Sequence, residues 1–196
     1  MNIASFILYC IVVTFTPGPT NIVILSSVQH YGARKAMEYV WGATIAFGLL
    51  LAASALLNRV LTGIIPNILG IMQIAGSVYM LYLAYQIYRM GRADATPVQT
   101  TSFTSGLLMQ FINPKVLLFT LTVIPSYVLP YDTSSSASFL FVLMITVIGF
   151  LAFVTWVVCG AVFRRLLQEH HRLINTLMAL FMLYSAVMVS GILTWR

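Results

Sequence analysis

Apolar residues run along this chain in blocks of about twenty, separated by short polar stretches, and the pattern recurs six times, at roughly 3–27, 38–58, 67–89, 104–129, 137–163 and 173–194. Each block, coiled as a helix, is long enough to cross a hydrocarbon core of about 30 Å. The connections are short. The longest, residues 89–102, holds Gly91, Pro97 and a Thr/Ser-rich stretch, which suits a linker between halves 1–88 and 103–194 of one transmembrane domain, 1–196. Pro130-Tyr131-Asp132-Thr133 and the serines after it read as a turn outside the membrane. The expected fold is all-α: a polytopic membrane protein of six transmembrane helices.

Two blocks are interrupted, by Thr16-Pro17-Gly18-Pro19-Thr20-Asn21 and by Gln110-Phe111-Ile112-Asn113-Pro114-Lys115. A helix crossing lipid satisfies its own backbone, so a break is costly unless the freed groups line a protected cavity. Breaks at corresponding places in two halves are the best sequence pointer to a carrier's binding site. A shift of about 97 residues carries Pro17 onto Pro114 and brings the second block close to the fifth. Three spans per half is an odd number, so the second half would sit upside down. The predicted architecture is two inverted three-helix repeats with helices 1 and 4 interrupted.

Composition agrees with lipid as the solvent. The chain is 60% hydrophobic and 7% charged, with a mean hydropathy of +0.96, against about 25% charged residues in soluble domains. The net charge of +6 does not point to nucleic acid, because the basic residues are scattered at helix ends. They do set orientation. Loops 1, 3 and 5 carry Arg34, Lys35, Arg89, Arg92, Arg164, Arg165 and Arg172, whereas the other side has Arg59 and Arg196. Positive residues stay cytoplasmic, so both termini are expected outside. The first block lacks a basic leader and runs past Leu25, so it reads as a retained helix and not a cleaved signal.

Each break also reads as a helix start, with Thr16 and Asn113 as N-caps before a proline. The prolines would free the carbonyls of Val13, Phe15 and Gln110, and Gly18 would admit close approach to a ligand. Helix N-termini attract carboxylates. Lys115 adds a full charge, at an insertion cost of roughly 2.5–3.5 kcal/mol that marks such residues as functional candidates. Carboxylate at the half-helix starts and amine at the freed carbonyls describe a pocket for a zwitterion. The candidate substrate-binding residues are Thr16, Pro17, Gly18, Pro19, Asn21, Gln110, Asn113, Pro114 and Lys115. Lys115 snorkelling to the interface is the alternative. All four acids, Glu38, Asp94, Asp132 and Glu169, lie in loops or at span ends, which favours a neutral amino acid over a cation. Gly42-x-x-x-Ala46 reads as a close helix contact. No catalytic residues, metal ligands or cofactor are expected. Two other readings are a metal-ion permease, which lacks buried acids, and a transmembrane thiol electron carrier, for which Cys10 and Cys159 fall in separate spans.

Thr16-Pro17-Gly18-Pro19 with Asn21, and Asn113-Pro114-Lys115 at the second break, resemble the lysine exporter superfamily (LysE/RhtB type) over essentially the whole chain. The resemblance implies efflux of amino acids across the bacterial cytoplasmic (inner) membrane, driven by protons as the coupling ion. The branch handling threonine, homoserine, cysteine or O-acetylserine looks closest, because span 2 from Trp41 to Leu57 carries none of the acid expected of exporters of cationic amino acids. Besides substrate, the expected partners are membrane lipid and protons, and a homodimer is compatible with the chain. Glu38 and Lys115 are the candidate groups for proton coupling.

Overall fold

A computed structural model describes residues 3–89, 101–128, 135–163, 165 and 169–189, with side-chain surroundings given outside 57–73 and a few isolated positions. Residues 90–100 of the expected linker 89–102, the turn at 130–134, Arg164, the chain end at 190–196 and the side chains of Arg59 and Gln73 lie outside this description. Among the described residues all regular structure is helical.

The first expected span is two helices, α1 (Ile3–Phe15) and α2 (Pro19–Tyr31), bent by 49° at the break. α2 ends at Gly32, whose φ of 86° suits glycine and turns the chain directly into α3 (Ala33–Arg89). The fourth expected span is likewise two helices, α4 (Phe103–Ile112) and α5 (Pro114–Val123), continued by a π-helical turn, Ile124–Val128. α6 (Ser135–Val162) and α7 (His171–Val189) complete the order. Ala33–Leu56 and Ser136–Val162 are each long and apolar enough to cross a membrane, and the bent pair α1–α2 makes a third such unit.

α3 departs from expectation. The sequence predicts two spans joined by a loop, yet the backbone stays helical through 59–66, past Gly63 and Pro66. A straight helix of its 57 residues would be about 85 Å long, nearly three bilayer cores. Ala36, Tyr39, Val40 and Ala43 from its start nevertheless share one buried cluster with Leu83, Ala84 and Ile87 from its end. The element therefore does not run straight; its two arms return to a common core, as two spans would.

α2 lies in the middle of the molecule and is buried along almost its whole length, although it carries Thr20, Asn21, Ser26, Ser27 and Gln29. The most extensive helix contact joins α3 to α4. It is a backbone-on-backbone crossing: a Cβ on Gly42 would lie 1.9 Å from the Phe103 carbonyl oxygen, and one on Gly106 would lie 2.1 Å from that of Tyr39. Gly42 thus makes the expected close contact, with Gly106 as its counterpart. A second buried cluster, including Phe6, Cys10, Phe47, Val116 and Phe119, ties α1, α3 and α5 together and leaves the two breaks between the clusters.

Candidate functional site

At the first break α1 stops because its last residues have nowhere to continue. The Thr16 N–H still bonds to the Val12 carbonyl at 3.0 Å, and the Thr16 hydroxyl bonds to the same oxygen. Thr16 therefore closes α1 instead of capping α2, which corrects the expected N-cap. Gly18 holds that position in extended conformation (φ −164°, ψ 177°), Pro19 is the first helical residue, and no side chain caps the end. At the second break the expectation holds: Asn113 Oδ1 accepts the Lys115 N–H at 3.1 Å, and Pro114 opens α5.

One hydroxyl joins the two breaks. Thr20 Oγ1 accepts from Gln110 Nε2 at 3.1 Å and from Asn113 Nδ2 at 3.0 Å. Thr20, Gln110 and Asn113 are all buried. A second link is charged: Lys115 Nζ donates to the Thr16 carbonyl across the gap at 2.7 Å. Gly18 makes room for it, since a Cβ there would meet Lys115 Cδ at 3.0 Å and Nζ at 3.1 Å. Lys115 lies across the first break and does not extend away from it.

The freed carbonyls also differ from expectation. Because α1 ends at Phe15, its last carbonyls all lose their i+4 donors, whether or not a proline faces them. Asn21 Nδ2 donates to Thr14 and Thr16 at 3.3 and 2.9 Å, and Trp156 Nε1 reaches Phe15 at 3.3 Å. These oxygens are thus served from within the protein. Asn21 Oδ1, in contrast, is buried with no hydrogen-bond partner.

A cavity of about 370 Å³, its open mouth included, lies where the breaks meet. Gly18, Thr20, Asn21, Asn113 and Lys115 form a polar side, and Phe47, Val116, Phe119 and Phe153 an apolar one. Of the nine residues expected from sequence, Gly18, Asn21, Asn113 and Lys115 line this space. Gln110 acts one step back through Thr20, and Thr16 enters by its carbonyl. Pro17 is exposed at the bend, while Pro19 and Pro114 are buried as first helical residues. Thr20 was missed although it stands inside the break. The three phenylalanines and Trp156 carry no local signal, being ordinary apolar positions of spans. Among the described residues no acid lines the cavity; Glu38 is exposed and paired with Lys35 on one turn of α3. Cys10 is buried and Cys159 exposed, both as free thiols.

Apolar helices broken at two points that meet around an amphipathic cavity are the build of a membrane carrier for a small molecule. The family model for the LysE type translocator matches residues 11–190, and the chain belongs to that family. Over 188 residues, 95% of this chain and 96% of the relative, it is 30% identical to the cysteine/O-acetylserine efflux protein of Klebsiella pneumoniae subsp. pneumoniae. With the same coverage it is 28% identical to the protein of that name from Escherichia coli K12. No solved structure gives a significant match.

Proposed function

We propose that this protein is a secondary exporter of small neutral amino acids and their derivatives, of the cysteine, O-acetylserine, threonine or homoserine kind, moving them out across the bacterial inner membrane in exchange for protons. The observation that carries this reading is the Lys115 ammonium seated on the Thr16 carbonyl, at the cavity between the two breaks. A substrate carboxylate competes for that ammonium and for the uncapped first turn of α2. The substrate amine finds an acceptor in Asn21 Oδ1, which otherwise stays buried and unpaired. Both ends of a zwitterion are then held, and a small side chain is left facing the phenylalanines.

Binding would release the tie between Lys115 and Thr16 and so loosen one break from the other. In the proposed six-span arrangement of inverted halves, with both termini outside, that release permits the halves to rock about the site. The packing of α4 on α3 and of α1 on α6 supports the arrangement, since these contacts exchange when the halves are exchanged. Proton coupling would run through Lys115 or through the substrate's own ionisation, because Glu38 is engaged at the surface.

The test is counterflow in proteoliposomes with labelled cysteine, O-acetylserine, threonine, homoserine and lysine. Exchange of the neutral set and not of lysine is expected, with Lys115→Met inserting normally and losing exchange. Wild-type rates in Lys115→Met, or a preference for lysine, would overturn the reading.

A further inference from the structure

The polar groups around the breaks address the carboxylate and amine that every amino acid has, so they cannot distinguish one amino acid from another. Discrimination falls to the apolar side. There Phe47 of α3 is held by three neighbours. Its ring lies nearly parallel to that of Phe119 (centroids 5.9 Å, 12°) and nearly perpendicular to that of Phe153 (6.4 Å, 68°). Behind it lies Gly149 of α6, where a Cβ would sit 2.6 Å from Phe47 Cε1 and 2.9 Å from Cδ1. Gly149 therefore lets the ring lie directly against the α6 backbone. Glycine at 149 and phenylalanine at 47 together define how far back the apolar wall stands.

Resting on the export function proposed above, we infer that Phe47, seated on Gly149, sets the upper size of side chain that this exporter accepts. A wall built from a ring locked between two other rings and a backbone cannot recede for a longer substrate. A group as small as one methylene in such a pocket changes selection by about 10- to 200-fold. The same geometry gives two perturbations of opposite sign. Phe47→Leu removes ring atoms and deepens the cavity. Gly149→Ala must push the ring off α6, and of the spaces beside it two are filled by Phe119 and Phe153, so the ring moves into the cavity.

The experiment is competition against labelled cysteine counterflow by serine, O-acetylserine, methionine, leucine and the S-methyl, S-ethyl and S-propyl ethers of cysteine. Wild-type protein should lose affinity abruptly, by tenfold or more, at one step of the ether series; a smooth rise in affinity with length would overturn the inference without any variant. Phe47→Leu should accept the longer ethers and leucine at least tenfold better relative to cysteine. Gly149→Ala should disfavour O-acetylserine against serine by tenfold or more, and Gly149→Ala combined with Phe47→Leu should restore it. Unchanged size preference in Phe47→Leu that still exchanges cysteine would sink this inference alone. Absence of cysteine exchange in the wild type would sink the export function first.

Discussion

The sharpest structural prediction concerns Thr20, whose hydroxyl accepts from both Gln110 and Asn113 at the second break. Thr20→Val keeps the shape and removes the acceptor, so Gln110 Nε2 and Asn113 Nδ2 lose bonds of 3.1 and 3.0 Å in buried surroundings. In water-soluble cores an orphaned buried donor costs about 1–3 kcal/mol. Within membranes the measured loss per interhelical bond is smaller, about 0.6 kcal/mol on average and about 1.7 at most, because the unfolded helices also find partners. Two bonds therefore give about 1–3.5 kcal/mol. The lower half of that range is favoured, because Gln110 Nε2 keeps a long contact to the Gly106 carbonyl at 3.5 Å. Thr20→Ser, which retains the acceptor, should cost less than about 1 kcal/mol. Equilibrium unfolding in mixed micelles measures each value. A double-mutant cycle with Gln110→Leu should return a coupling of about 0.6–1.7 kcal/mol. Equal losses for Val and Ser, or a coupling indistinguishable from zero, would show that this hydroxyl does not join the breaks.

Gly106→Ala places a methyl group 2.1 Å from the Tyr39 carbonyl oxygen; because the obstacle is backbone, α3 and α4 must separate, and unfolding in micelles should register a loss of about 2 kcal/mol or more. Replacing Cys10 and Cys159 together with alanine should leave export intact and cost about 1 kcal/mol of stability at the buried Cys10. Loss of export in that double variant, when well inserted, would return the thiol electron carrier to consideration.

Much of the site was legible in the chain because its signals are local. Pro17, Gly18 and Pro19, or Asn113 and Pro114, decide by their own covalent structure that a helix cannot pass through them, whatever surrounds them. Lys115 stands out because a charge is expensive in an apolar span. Which residue caps which helix was legible at Asn113 and not at Thr16. Thr16 and Asn113 carry equally good capping side chains, and only the path of α1 assigned Thr16 backward to the Val12 carbonyl and left the cap to Gly18.

What the sequence by itself determined is the solvent, the helical class, the two breaks and the charged group beside one of them, since each follows from composition or from a residue's own backbone limits. Only the tertiary structure decided that Thr20 serves both breaks, that Lys115 spans the gap to Thr16, and that Phe47, Phe119 and Phe153 face the same cavity. Those facts concern residues 90–99 positions apart at the polar contacts and 34–106 apart among the phenylalanines, and no local pattern encodes which apolar residue of one helix meets which of another. That choice is made by packing, here by glycines at 42, 106 and 149 that let α3 approach α4 and α6 closely enough to bring the aromatic wall to the polar one.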